Sequence, residues 1–512
     1  MVESLRSSRR DLLRMGVGAL GATALGTRDL RAQPASRNSR IGGLLNQLGQ
    51  QAQWRSPELR LARRITQGLT EADAARATAL GYQAFLEEQL NPTGIDDSAM
   101  EARVRQGYST MLGYTPRQLI DLNDAGAHYF EAQLPMRMLV AERAVFSRRQ
   151  LQERLFEFWS DHVYVPIWLF PGLTNIHLEQ AIRPHVLGTV GGMIRASMRS
   201  TSMLVYLDQV WSTRFGVNEN YARELMELHT VGWDGGYTQE DVAGLARVLT
   251  GWGWENGIFK YNASNHDFGA KQVFGMSFPA RSQGNSGTFG MDEGIAFGEM
   301  LIRHPQTKRF IAVKLLRWFV RPDPSEAQIQ AVISVYGTEG DIKAMLRVVL
   351  SSANITRAPA KLKRPFHYGV SALRAIGATI IPVADVRRDF ITLVYPINAM
   401  GHSFGNWPNP DAYPDRAEFW AGLIVDRWNA VNNQLVQSDT TLPGRAVLDL
   451  ASFVGTGSID SVVASIRRRL FGGEMSAELD AELRFTLRNG VTNPRVLNAV
   501  RLAVCAPEFQ FY

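Results

Sequence analysis

A single cysteine, Cys505, stands in a chain of 512 residues. One thiol excludes a disulfide framework, a cysteine-based zinc site, an iron–sulfur cluster and covalent attachment of a c-type haem. Long apolar runs are also missing. Beyond the N-terminal region none approaches the roughly twenty residues that span a bilayer, so no transmembrane anchor is expected there. The densest basic cluster is Arg467-Arg468-Arg469, which an exposed helix face explains, so nucleic acid is not an expected partner. His-Glu-x-x-His, Gly-x-Ser-x-Gly, a Walker loop and a dinucleotide fingerprint are all lacking, which removes the commonest metalloprotease, serine hydrolase and nucleotide readings.

The N-terminus carries the clearest positive signal. Ser8-Arg9-Arg10-Asp11-Leu12-Leu13-Arg14 sets two adjacent arginines before an uncharged stretch, Met15 to Leu25, rich in Gly, Ala and Leu. That stretch matches the short apolar region of a signal peptide, and its weak hydrophobicity with the arginine pair points to the twin-arginine route. Residues 1–32 are therefore expected to be a signal peptide read by the twin-arginine translocase, residues 33–55 a linker or weakly ordered arm, and 56–512 one large domain. The mature protein is expected in the periplasm or outside the cell. Residues 1–32 hold six arginines and three acids, so the 55 basic and 49 acidic residues of the whole chain become 49 against 46. A near-neutral protein remains.

From Ser56 onward the periodicity is helical nearly everywhere. Thr70-Glu71-Ala72-Asp73 and Thr238-Gln239-Glu240-Asp241 are capping boxes, Ser476 starts a further helix, and Gly81 ends the first. Leu151, Leu155, Phe158 and Trp159 share one helical face, as do Val242, Leu245, Ala246 and Leu249. The expected fold is all-α, one large globular unit with long irregular loops. The main irregular stretches are Asn256 to about Gly294 and Gly401 to Pro414.

Two segments concentrate polar chemistry. In Asn218–Gly232, Tyr221, Leu225 and Leu228 form the expected core stripe, Arg223 and Glu227 stand four apart, and Glu224 and Glu227 three apart. Neighbouring carboxylates perturb one another's pKa, which suits acid–base work or a divalent metal; an Arg–Glu network tying the helix to its neighbours is the plainer alternative. In the long loop, His266-Asp267-Phe268-Gly269-Ala270-Lys271 sets a His beside an Asp with a Lys in reach, or else a solvated turn capped by Asp267.

These segments together resemble the family catalogued as "domain of unknown function 1800". The likeness is carried by Asn218–Thr250, His266–Gly275, His304-Pro305 through Arg309-Phe310 to Trp318-Phe319, Lys363-Arg364-Pro365-Phe366, Trp407-Pro408 and Ala506-Pro507-Glu508-Phe509-Gln510. The resemblance implies an exported, mainly helical protein whose gene often lies beside that of a second exported, phosphatase-like or sulfatase-like protein. It supplies no reaction. Two departures stand out: Trp159-Ser160-Asp161-His162-Val163 where Trp-x-Asn-His-Phe is common, and His229 where an aromatic residue is common.

Two functional expectations follow. The first is an envelope hydrolase acting on a glycan or another polar polymer, with Glu224, Glu227, His266 and Asp267 as catalytic groups and Asn218, Asn220, Arg223, Lys271, Arg309 and Trp407 as binding groups. Glu224 or Glu227 should then touch His266 or Arg309. The second is a non-catalytic binding or assembly partner of a neighbouring exported enzyme. A divalent metal is compatible with the first, and its identity is open.

Overall fold

Thr70 closes a reciprocal cap with Asp73, and the helix it starts, Glu71–Leu80, stops at Gly81, whose φ of 77° suits a residue without a Cβ. Thr238 and Asp241 make the same box at the head of Gln239–Val248, and the Ser476 hydroxyl accepts the Leu479 amide at the head of Ala477–Leu487. These local signals recur along a computed structural model that describes residues 54–168, 171–282, 288–380, 393–438 and 446–512. Helices dominate it. Among the described residues, strand is confined to three two-stranded antiparallel ladders. The expected signal peptide and nearly all of the expected arm lie outside the described residues. The described residues form one compact unit, and among them no helix is long and apolar enough to cross a membrane.

The Gln150–His162 helix lies at the centre. Leu151, Leu155, Phe158 and Trp159 are buried on its apolar face together with His162, and Arg154 and Glu157 are buried beside them off that stripe. A helix buried all round must satisfy its charges inside the protein.

The expected stripe in Asn218–Gly232 is only half right. Tyr221 and Leu225 are buried, whereas Leu228 is half-buried and Met226 and His229 face the core in its place. The α-helix runs from Asn220 to Glu224, and Leu225–His229 continues it as a π-helical turn. One extra residue per turn rotates everything after Leu225 away from its 3.6-residue position.

Among the described residues the stretch after Asn256 is irregular only in part. Trp252–Glu255 pairs with Ile258–Tyr261, and Lys271–Val273 with Met276–Phe278. Each hairpin turns on two residues of positive φ, Asn256-Gly257 and Phe274-Gly275, the backbone that a tight two-residue turn demands. The second hairpin lies flat on the Gln239–Val248 helix. A Cβ at Gly244 would stand 2.5 Å from the Gln272 carbonyl oxygen, so only glycine permits that approach.

Candidate functional site

The polar residues of Asn218–Gly232 are held largely by their own neighbours. Asn218 Oδ1 accepts the Asn220 amide at 2.9 Å, so both asparagines serve the start of the helix. Arg223 reaches Glu219 at 3.2 Å, Gln239 at 2.7 Å and Glu227 at 3.5 Å. Glu227 also takes the Tyr237 hydroxyl, and burial, that bond and the charges of Glu227 and Glu224 push the phenol's pKa up. Arg309 forms an exposed two-pronged pair with Glu326 at 2.7 and 2.8 Å. Glu227 and Arg309 thus pair elsewhere than with His266 or with each other.

His266 instead finds its carboxylate in Glu293, on the Met291–Arg303 helix. The imidazole is wholly buried; Nδ1 donates to the Thr250 carbonyl at 2.8 Å and Nε2 stands 3.5 Å from Glu293. Lys271 donates to the same carboxylate at 2.7 Å, both side chains being wholly buried. Burial would raise the Glu293 pKa, but hydrogen bonds from His266 and Lys271 hold it below the usual range. Asp267 turns the other way, pairing with Arg247 at 2.7 Å and accepting the Gly269 amide at 2.8 Å. Against burial, these bonds lower its pKa too. The loop therefore gathers His266, Asp267 and Lys271 with Glu293 and Arg247, and gives each carboxylate a cation of its own.

A second group, built on the Gln150–His162 helix, is differently arranged. Glu157 and Asp161 lie one turn apart and share a single guanidinium. Arg364 donates to Glu157 at 2.5 Å and to Asp161 at 2.7 Å. Glu157 has more help, taking Arg154 at 2.9 Å and Gln67 at 3.0 Å. Burial disfavours both anions, but the charges of Arg364 and Arg154 bring Glu157 down to about 2. For Asp161, burial together with the negative charge of Glu157 outweighs Arg364 and pushes its pKa up to about 6. Two interacting carboxylates split in this way when one cation cannot serve both.

Beside Asp161 stands Lys314, from the Pro305–Phe319 helix. Its ammonium donates to His162 Nδ1 at 2.9 Å, while His162 Nε2 donates to the His229 carbonyl at 3.1 Å. These two bonds fix His162 as the neutral imidazole with its proton on Nε2, and burial, Lys314 and His229 hold its pKa well below the usual value. Burial lowers Lys314 to about 8 against the opposing pull of Asp161, Asp415 and Asp411. One ammonium thus faces three carboxylates.

Trp407 belongs to this second group and not to the loop. Its indole donates to Asp411 at 3.0 Å, its carbonyl accepts the Tyr164 hydroxyl at 2.7 Å, and its ring leans on Tyr413 with centroids 5.0 Å apart. Lys361 and Asp415 pair at 3.0 Å nearby. Ser160, Asp161, Tyr164, Thr174 and Gly405 line a small cavity of about 10 Å³, close to the volume that one water centre explores. A much larger cleft, about 1230 Å³, opens between Trp428 and the Ala477–Leu487 and Asn493–Cys505 helices, and it shares no lining residue with Asp161. Among the described residues no set of three or more His, Cys, Asp or Glu stands together to hold a metal.

Asp161, Glu157, Lys314, Arg364 and Glu293 are the participants that residue patterns did not single out for a role. Arg364 and Asp161 are 203 positions apart, and their fragments, Lys363-Arg364-Pro365-Phe366 and Trp159–Val163, stood out only as marks of a family.

The fold and these groups define a mainly helical protein organised around buried ion networks. The chain belongs to the family described as protein of unknown function (DUF1800), whose profile matches residues 60–511. No curated protein and no solved structure matches it.

Proposed function

We propose that this chain is an exported envelope enzyme, a hydrolase acting on a glycan or another polar polymer, with its acid–base centre at Asp161 and Lys314. The carrying observation is that both groups are displaced toward neutrality, Asp161 to about 6 and Lys314 to about 8, beside the half-buried ring of Trp407. Groups poised near working pH exchange protons most effectively. Asp161 would pass its proton to the leaving oxygen as the bond to that oxygen breaks. Water would add to the electrophilic carbon and return its proton to the Asp161 carboxylate, with the Lys314 ammonium steadying negative charge. Trp407 offers a face for a sugar ring. Export is supported by Arg9-Arg10 and the apolar stretch after them, and lysines at both positions should abolish accumulation of mature protein in the periplasm.

The test is release of new reducing ends from a panel of cell-wall and capsular polymers. Asp161→Asn should lower the rate at least about 100-fold. Equal rates for the variant and the unaltered chain on every polymer would refute the assignment.

The second reading, an assembly partner for a neighbouring phosphatase-like or sulfatase-like exported protein, is favoured by the 1230 Å³ cleft, with Trp428 and Leu502 exposed at its edge. Under that reading Trp428→Ser would abolish association while Asp161→Asn would leave it intact.

A further inference from the structure

Around Tyr512 buried donors outnumber acceptors. His367 is 1% exposed, and neither of its ring nitrogens has a hydrogen-bond partner among the described residues. Its ring meets Tyr512 edge-on, with centroids 4.5 Å apart. The Arg154 guanidinium stands 5.3 Å from the Tyr512 ring and 5.0 Å from that of Trp318, and the Arg364 guanidinium 4.6 Å from Trp318. In this same neighbourhood Arg154 Nε, Arg364 Nε and Trp318 Nε1 are buried and likewise unpartnered.

Charge is as uneven as hydrogen bonding. Both oxygens of Glu157 are already taken by Arg364, Arg154 and Gln67. Lys363, buried one turn before His367, donates to the Ser371 hydroxyl at 2.7 Å and otherwise faces the Phe509 ring. Arg427 is wholly buried and donates to Gln510 and to the Lys363 carbonyl. Neither has a carboxylate partner among these contacts. A buried donor without an acceptor costs about 1–3 kcal/mol, and more when charged. Water would satisfy the donors but leave the positive charge uncompensated, whereas an anion answers both needs. The unpartnered nitrogens come from three helices, Arg154 on Gln150–His162, Trp318 on Pro305–Phe319, and Arg364 and His367 at the head of Pro365–Ala375. That arrangement suits a small spherical anion better than a large planar or tetrahedral one.

We infer that the shell formed by His367, Arg154, Arg364 and Trp318 around Tyr512 binds one halide ion, of chloride size. The site is separate from the proposed acid–base centre but shares Arg364 with it, so an occupant would steady the guanidinium that Glu157 and Asp161 divide.

Crystals of the full chain grown in sodium bromide decide the matter through anomalous diffraction at the bromine edge. A single buried peak within about 3.5 Å of His367 and the Trp318 indole nitrogen is expected. Peaks only at the surface, or a water at that position, would overturn the inference. A second readout uses solution. At constant ionic strength, replacing a bulky organic anion with saturating chloride should raise the unfolding temperature by about 3 °C, and His367→Phe or Trp318→Phe should remove the rise. A rise of equal size in both variants would mark a general salt effect and reject the site. If neither variant folds, the bromide map of the unaltered chain still decides.

Discussion

The His266 loop and the Gln150–His162 helix use the same residue types and reach opposite electrostatic outcomes. In the loop, Glu293 has Lys271 and Asp267 has Arg247, and both carboxylates are held below the usual range. On the helix, Glu157 and Asp161 divide Arg364, and one falls to about 2 while the other rises to about 6. Burial alone does not separate the regions, since Glu293 and Lys271 are as deeply buried as anything on the helix. The division of the cations does: Glu157 takes Arg154 as well as Arg364, while Asp161 bonds the shared Arg364. Matched pairs stabilise, and a shared cation leaves one partner primed to give up or take a proton. This is why the helix, and not the loop with its more conspicuous His-Asp pair, is the better place to seek chemistry.

The largest effects should come from the anchors, and they should be alike in both regions. Glu157→Gln strands Arg154 and leaves Arg364 to Asp161 alone, and Glu293→Gln strands Lys271. Each should cost about 3–5 kcal/mol in urea unfolding, the usual penalty for leaving a buried charge alone. The pH dependence of Glu157 sharpens the comparison. Its folded pKa lies below its ordinary value of 4.5, so the stability it contributes is complete above about 4.5 and is lost as pH falls toward about 2. The gap between the unaltered chain and Glu157→Gln should close across that window. A small effect for either anchor would break the claim that both regions rest on buried pairs.

Asp161→Asn should behave in the opposite sense. The fold favours the protonated form of Asp161, so ionising it costs stability as pH rises through about 6. The amide avoids that cost. At pH 7.5 the variant should be more stable by about 1 kcal/mol, discounted because the side chain is partly exposed and keeps its bond to Arg364. The gain should vanish below about pH 4, where both side chains are neutral. A loss of stability at pH 7.5 would show that Arg364 serves Asp161 as fully as it serves Glu157, and the contrast would disappear.

Which parts of this were legible in the chain follows from the physics of each. The capped helices starting after Thr70, Thr238 and Ser476 were readable because caps and 3.6-residue stripes are local. The π-helical turn at Leu225–His229 was not, because an i+5 register leaves no repeating period and shows only as Leu228 and His229 exchanging places. Asn256-Gly257 was a readable hairpin signal inside a stretch that its Gly and Asn content made look irregular. His266, Asp267 and Lys271 do come together, yet their decisive partner Glu293 lies on the next helix with nothing local to mark it. The Glu157–Asp161–Arg364 sharing was beyond reach of any spacing rule. It depends on two segments some two hundred residues apart arriving at one guanidinium.

The smallest expected effect tests the loop in its exposed half. Arg247 and Asp267 pair at 2.7 Å with side chains 37% and 21% exposed, and Asp267 keeps the Gly269 amide whether or not the arginine is present. Arg247→Ala therefore removes one partner from a carboxylate that retains a backbone donor and access to solvent. The cost should be about 0.2–1 kcal/mol, as for other partly exposed pairs, and it should shrink further in 1 M salt, where the screening length falls to about 3 Å. The double-mutant cycle with Asp267→Asn isolates the pair from the amide bond. A coupling above about 2 kcal/mol that salt leaves unchanged would place Asp267 in a dry environment like that of Glu293. The loop would then be buried charge on both sides of His266, and its claim to be the chemical centre would have to be weighed again beside that of Asp161.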